Sequence, residues 1–136
     1  MLKVQFVDDE VIFGFDPPTV CLLGNEQDFL QLAKETIEFT SSSKEYLNLR
    51  DLKFSSFEDS SLVVEFSSKK DANHYGELVG RNHVKFELDP RYWERLFKYF
   101  ILMSWGKKTY YLNDYENCLS DFELDQTCNF VCSSEF

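Results

Sequence analysis

Three sets of residues in this chain have the types that chemistry requires. They are the histidines His74 and His83, the cysteines Cys21, Cys118, Cys128 and Cys132, and an acidic run near the end, "NDYENCLSDFELDQTC" (Asn113 to Cys128). Calcium loops need oxygen ligands at alternate positions and a glycine at the sixth, and counting from Asp114 puts Cys118 fifth and Leu119 sixth, which excludes an EF-hand. Asp121, Glu123 and Asp125 would share one face of a strand, but three free carboxylates that close repel one another, so no metal is expected there. For zinc, Cys128 and Cys132 are four apart, Cys118 lies ten residues before Cys128, and His74 and His83 lie nine apart. No spacing among them forces convergence, and Cys128 and Cys132 on one strand face read as small buried core thiols.

Nucleophilic catalysis needs an activated nucleophile with a base in reach. "GRNH" (Gly80 to His83) gathers Arg81, Asn82 and His83, yet it matches no hydrolase signature and reads as a polar loop entering a strand. The five glycines form neither GxGxxG nor GxxxxGK, so no phosphate cradle is expected. Lys69, Lys70, Arg81, Lys85, Arg91 and Arg95 could edge a nucleic-acid platform only inside a field of net charge −10. The expectation is a protein that is not an enzyme, with no catalytic residue, metal, cofactor or nucleic-acid ligand.

The elements that must carry these residues follow from periodicity. "LKVQFV" (Leu2 to Val7) alternates as a half-buried strand, "VIFGF" (Val11 to Phe15) reads as a second, and "TVCLL" (Thr19 to Leu23) as a buried central one. Asn25 caps a helix with Asp28 three residues on, and Phe29, Leu32, Ala33, Thr36 and Ile37 keep helical spacing to about Phe39. Tyr46 to Phe57 alternates imperfectly and is expected to pair with "LVVEFS" (Leu62 to Ser67) as a hairpin. Polar, glycine-bearing "KKDANHYGELVGRN" (Lys69 to Asn82) reads as a surface loop, and "HVKFEL" (His83 to Leu88) as a strand with Val84, Phe86 and Leu88 inward. Asp89 caps a second helix, with Pro90 at its first position and Gly106 past its end. Trp93, Leu96, Phe97, Phe100 and Ile101 form its apolar face, which must lie against a sheet. "TYYLN" and "CNFVC" close the chain as strands. The expected fold is one domain over residues 1–136, α+β, with a mainly antiparallel β-sheet and two principal helices packed on it.

Of the 136 residues, 43% are hydrophobic and 17% aromatic, which is a composition that folds. The longest strongly apolar window, "YFILMSW" (Tyr99 to Trp105), falls far short of the ~20 residues a bilayer needs, and "MLKVQFVDDE" meets acid too early for a secretory signal. A cytoplasmic protein with reduced thiols is expected. Charge is segregated: residues 1–45 carry nine acids and three bases (−6), 46–112 nine acids and eleven bases (+2), and 113–136 six acids and no base (−6).

That segregation gives the acidic run its reading. Carboxylates at Asp114, Glu116, Asp121, Glu123 and Asp125 can accept charge-assisted bonds from Arg and Lys, and Tyr115 and Phe122 supply aromatic anchors. A basic protein partner would be steered in by the long-range field. In size, acidity and organisation, with "DYENCLSDFELD" as local support, the chain resembles immunity proteins of bacterial toxin–immunity systems, including contact-dependent growth inhibition. The resemblance implies a cytoplasmic, non-catalytic protein, monomeric or weakly dimeric, that binds one cognate basic toxin, a nuclease, stoichiometrically through an acidic surface. Other expectations compete with it: a phage-type nucleic-acid mimic that inhibits a nuclease, a small enzyme using the His83 loop with Arg81 and a carboxylate, or a subunit of a larger assembly.

Overall fold

The computed structural model describes residues 1–41, 46–113 and 124–136. Nine strands form two sheets among these residues. The first, in spatial order β4-β1-β2-β9-β8, comprises β1 (Leu2–Val7), β2 (Thr19–Leu23), β4 (Ser55–Phe57), β8 (Thr109–Tyr111) and β9 (Asn129–Ser133). The second, in order β3-β5-β7-β6, comprises β3 (Tyr46–Asn48), β5 (Val63–Ser68), β6 (Asn73–Gly80) and β7 (His83–Leu88). Two helices, α1 (Glu26–Ser41) and α2 (Pro90–Ser104), pack on each other and on the inner face of the second sheet. The α+β class and the two helices stand as expected.

The sheets, however, are mixed rather than mainly antiparallel: four strand pairings are antiparallel, while β1·β4, β2·β9 and β5·β7 run parallel. These parallel partners meet by crossovers, and local sequence carries no signal for those. Three expectations also change. Of residues 46–57, expected to pair with residues 62–67 as a hairpin, β3 does pair antiparallel with β5, but β4 lies in the first sheet, parallel to β1. Residues 11–15 make a tight turn closed by an Ile12–Phe15 bridge, because Phe13 and Gly14 adopt left-handed φ of 52° and 80°, which an extended strand does not tolerate. Residues 73–80, expected as loop, form β6. Their polarity is that of a sheet's solvent face and edge, not of a loop.

The core lies between the sheets and the helices. Alternation in β5 and β7 sends Val64, Phe66, Val84, Phe86 and Leu88 inward, as their period-2 spacing predicts. Trp93 of α2 sits 4.8 Å from Phe66 and 4.9 Å from Phe39 of α1, ring centre to ring centre, and its indole N–H donates to the Ser67 carbonyl at 2.9 Å. Thus a buried polar atom is satisfied where three elements meet. Phe86 and Phe130, 4.7 Å apart, join the two sheets. Cys128 and Cys132 are buried in this core, as read from their spacing, and Cys21 lies on the opposite face of its sheet under Ile12, Phe13 and Phe15. Burial pushes the Cys21 thiol up to about 12 and Cys128 up to about 11. These thiols are therefore poor nucleophiles.

Both helix starts follow the caps in the sequence. Asn25 and Asp28 exchange reciprocal bonds, with Asp28 N–H donating to Asn25 Oδ1 at 2.9 Å and Asn25 N–H to Asp28 Oδ2 at 3.0 Å. Buried Asp89 accepts from the Arg91 backbone N–H (3.0 Å), the Arg91 Nε–H (2.9 Å) and the Asp71 N–H (2.8 Å), so it ties the turn before β6 to the start of α2. The Arg91 side-chain bond, ahead of the backbone donors, holds its carboxyl at about 2, below the ordinary 3.8. A depressed folded-state value contributes stability that is present above about pH 4 and is lost as pH falls toward 2. Asp89→Asn keeps a competent cap without the charge and should cost about 1 kcal/mol at neutral pH. In urea titrations between pH 6 and 2, roughly the span over which the carboxyl changes charge, its deficit against the parent should shrink steadily toward zero. A deficit constant with pH would contradict the charged cap.

Candidate functional site

The outer face of the second sheet collects the chemistry. Cross-strand pairs there are Glu65 with Lys85 and Ser67 with Glu87 between β5 and β7, His74 with Glu87 and Glu77 with Lys85 between β6 and β7, and Tyr46 with Ser67 between β3 and β5. Each of these side chains is half-buried or exposed, whereas in β5 and β7 the residues flanking them are buried. The face therefore carries Glu65, Glu77 and Glu87, joined at its rim by Asp125, against Lys85 and two histidines.

In a regular strand, residues 74 and 77 would face opposite sides. A bulge at Gly76 shifts the register between Tyr75 and Glu77 and brings both to the outer face. Gly76 has φ +67°, and a Cβ there would stand 3.1 Å from the Cys128 carbonyl oxygen. Its own carbonyl accepts from Cys128 N–H at 2.9 Å, and Tyr75 N–H donates to the Asp125 carbonyl at 2.8 Å while Asp125 N–H donates to that of Asn73, also at 2.8 Å. The stretch from Asp125 to Cys128 thus runs along the β6 edge before entering β9. As a result His74 Nδ1 contacts the Glu77 carboxylate and stands 3.8 Å from Asp125 Oδ2.

A second cluster lies on the same face. His83 Nε2 is 3.0 Å from Glu65 Oε1, and the Tyr46 hydroxyl donates to Glu65 Oε2 at 2.9 Å. Burial first, then the bond to Glu65 and its charge, push the Tyr46 phenol up to about 12. Glu65 therefore orients an imidazole in the manner of a base–orienter pair. Arg81 and Asn82 do not join it among the described contacts. Asn82 Nδ2 instead donates to Ser61 in the turn before β5, at 2.9 Å. A cavity of about 510 Å³ under α1 is lined by Tyr46 of this cluster together with Asp51, but not by Glu65 or His83, and cavities of about 240 and 290 Å³ lie away from the face, beside β1 at Glu58 and on α2 at Phe97, Ile101 and Trp105. Trp105, 75% exposed, is where the expected apolar patch of an assembly subunit would fall.

Of the residues expected to bind a partner, Asp125 lies at the rim of this face, whereas Asp114, Tyr115, Glu116, Asp121, Phe122 and Glu123 lie outside the described residues. The described flanks of that acidic stretch are firmly held. Buried Asn113 donates to Asn129 Oδ1 at 3.0 Å and accepts from Phe130 N–H at 3.0 Å and Gln126 Nε2 at 3.1 Å, and Asp125 is paired to β6. Sequence reasoning missed Glu65, Glu77, Glu87, Tyr46 and His74 as members of one surface. The alternation of β5 and β7 held the signal for Glu65 and Glu87, but the bulge erased it for Glu77.

Comparison with known proteins gives no anchor. No protein family, curated protein or solved structure matches this chain. No helix among the described residues is long and apolar enough to cross a membrane.

Two substitutions test this geometry. Gly76→Ala should destabilise the protein by about 1–3 kcal/mol in chemical denaturation, because it forces a side chain into left-handed backbone against a carbonyl. A neutral substitution would show that the bulge is not held as described. Glu65→Gln should lower the Tyr46 phenol part of the way from about 12 toward the ordinary 10, since burial remains when the carboxylate is gone. Ring-carbon NMR of Tyr46 across alkaline pH reads this directly, and an unchanged midpoint would place the cause in burial alone.

Proposed function

We propose that this protein is a stoichiometric inhibitor, the immunity component of a toxin–immunity pair, which neutralises a basic toxin in the cytoplasm. The observation that carries this reading is the outer face of β3-β5-β7-β6. Glu65, Glu77, Glu87 and Asp125 stand there against Lys85 on one polar surface, and Asp125, the last acid of the run, is paired at its edge. A nuclease that holds phosphates through Arg and Lys presents the complementary charge. Exposed Tyr46 adds an aromatic contact of the kind that dominates interface energetics. The remaining carboxylates raise the association rate and make it salt-dependent.

A second reading draws on the Tyr46–Glu65–His83 chain: a small enzyme in which Glu65 orients His83 as a base. A nucleic-acid mimic acting on a different nuclease would use the same acidic face as the inhibitor and is separated from it by the identity of the partner.

The test is capture from native lysate at low salt with three proteins: the parent, Glu65→Gln/Glu77→Gln/Glu87→Gln, and Asp121→Asn/Glu123→Gln/Asp125→Asn. The parent should retain one basic protein at one-to-one ratio, release it at about 0.5 M salt, and abolish its nuclease activity. Each variant should lose at least tenfold in affinity. Retention of no basic protein, or equal retention by both variants, would overturn the inhibitor reading. A turnover lost in His83→Ala would favour the enzyme.

A further inference from the structure

We propose that His74, Glu77 and Asp125 bind one borderline divalent ion of the zinc class at the rim of the outer face. This goes beyond the inhibitor reading, for it needs neither a partner nor residues 114–123. It joins His74 and Asp125, which the sequence placed in two separate sets with no metal expected from either, to Glu77, which the sequence did not single out. One donor atom from each residue lies within 4.8 Å of the other two. Bonds of ~2.0–2.2 Å around zinc set donors ~3.3 Å apart, so modest side-chain rotations close the set. Asp125, with 65% of its side chain exposed, has the freedom to make them.

Acidic clusters are common without any ion, but two further observations set this one apart. A neutral imidazole nitrogen joins the carboxylates, and that donor selects zinc, cobalt or nickel over calcium and magnesium. In addition, His74 Nδ1 and the Glu77 oxygen facing it are both closed off from solvent and neither makes a hydrogen bond, although the two atoms touch. A nitrogen lone pair and a carboxylate oxygen pressed together in that way repel unless a proton or a metal ion lies between them, and a metal ion that enters takes the proton's place. The backbone already fixes the donors: the Gly76 bulge turns His74 and Glu77 to one side, and Asp125 is paired beside His74. Three protein donors leave the fourth position open to water or to a partner's side chain.

Calorimetry on the full chain, stripped with chelator and titrated with zinc chloride at about 0.15 M salt, tests this. One equivalent should bind with micromolar affinity and raise the melting temperature, and millimolar magnesium should not compete. His74→Gln and Asp125→Asn should each weaken binding about 100-fold, the upper end of what loss of an outer-sphere partner costs. His83→Gln and Cys118→Ser should leave it unchanged, and the cobalt form should lack thiolate-to-metal charge transfer. If His74→Gln lowers the metal-free melting temperature, Asp125→Asn, at its exposed position, carries the test. Affinity weaker than millimolar, retention of binding in both ligand variants, or a thiolate band would overturn the site.

Discussion

The left-handed backbone at Gly76 is the constraint on which the most depends. One residue inserted into β6 does three things at once. It turns His74 and Glu77 to the same side, offers its carbonyl to the Cys128 amide, and leaves room for the Cys128 carbonyl where a Cβ would otherwise stand. The edge of the second sheet is thereby joined to the segment that becomes β9, a central strand of the first. Edge strands expose unpaired backbone groups that invite aggregation, and here part of that edge is covered by the chain itself. The bulge thus builds the outer face and closes the fold behind it.

Inside and outside of that sheet divide the work cleanly. Its inner face is a run of aromatic contacts, Trp93 on Phe66, Phe66 on Phe86, Phe86 on Phe130, so its stability owes little to the polar side. Its outer face sets Glu65 and Glu77 on either side of Lys85, so these cross-strand neighbours are of opposite charge. Elsewhere, Arg91, Arg95 and Lys98 lie on α2 and Lys107 and Lys108 just past its end, which accounts for much of the basic character of the middle of the chain. A net charge of −10 is therefore not evenly spread over the molecule.

How much of this could be read in advance depends on the range over which each feature is encoded. Strands β5 and β7 and both helix starts were legible because alternation and capping act within a few residues. Asp89 and Pro90 marked the start of α2 on their own. Parallel pairing of β2 with β9 was not legible, since nothing near residue 20 specifies a partner near residue 131. Strand β6 was misread as loop because its bulge breaks period-2 spacing and its exposed residues are polar. The same break hid the neighbourhood of His74 and Glu77. Asp125 was named from charge alone, and only the fold supplies its neighbours.

The two proposals meet at Asp125 and Glu77, so they are not independent in the molecule that would carry both. A divalent ion there would offset two of the four carboxylates on the outer face and weaken the pull on a basic partner. By linkage, such a partner would weaken the ion's hold by the same factor. The sign reverses only if the partner fills the open coordination position with a ligand of its own. Antagonism would mean that electrostatic attraction governs the face. Synergy would mean that the ion is part of the contact, with His74 setting its place.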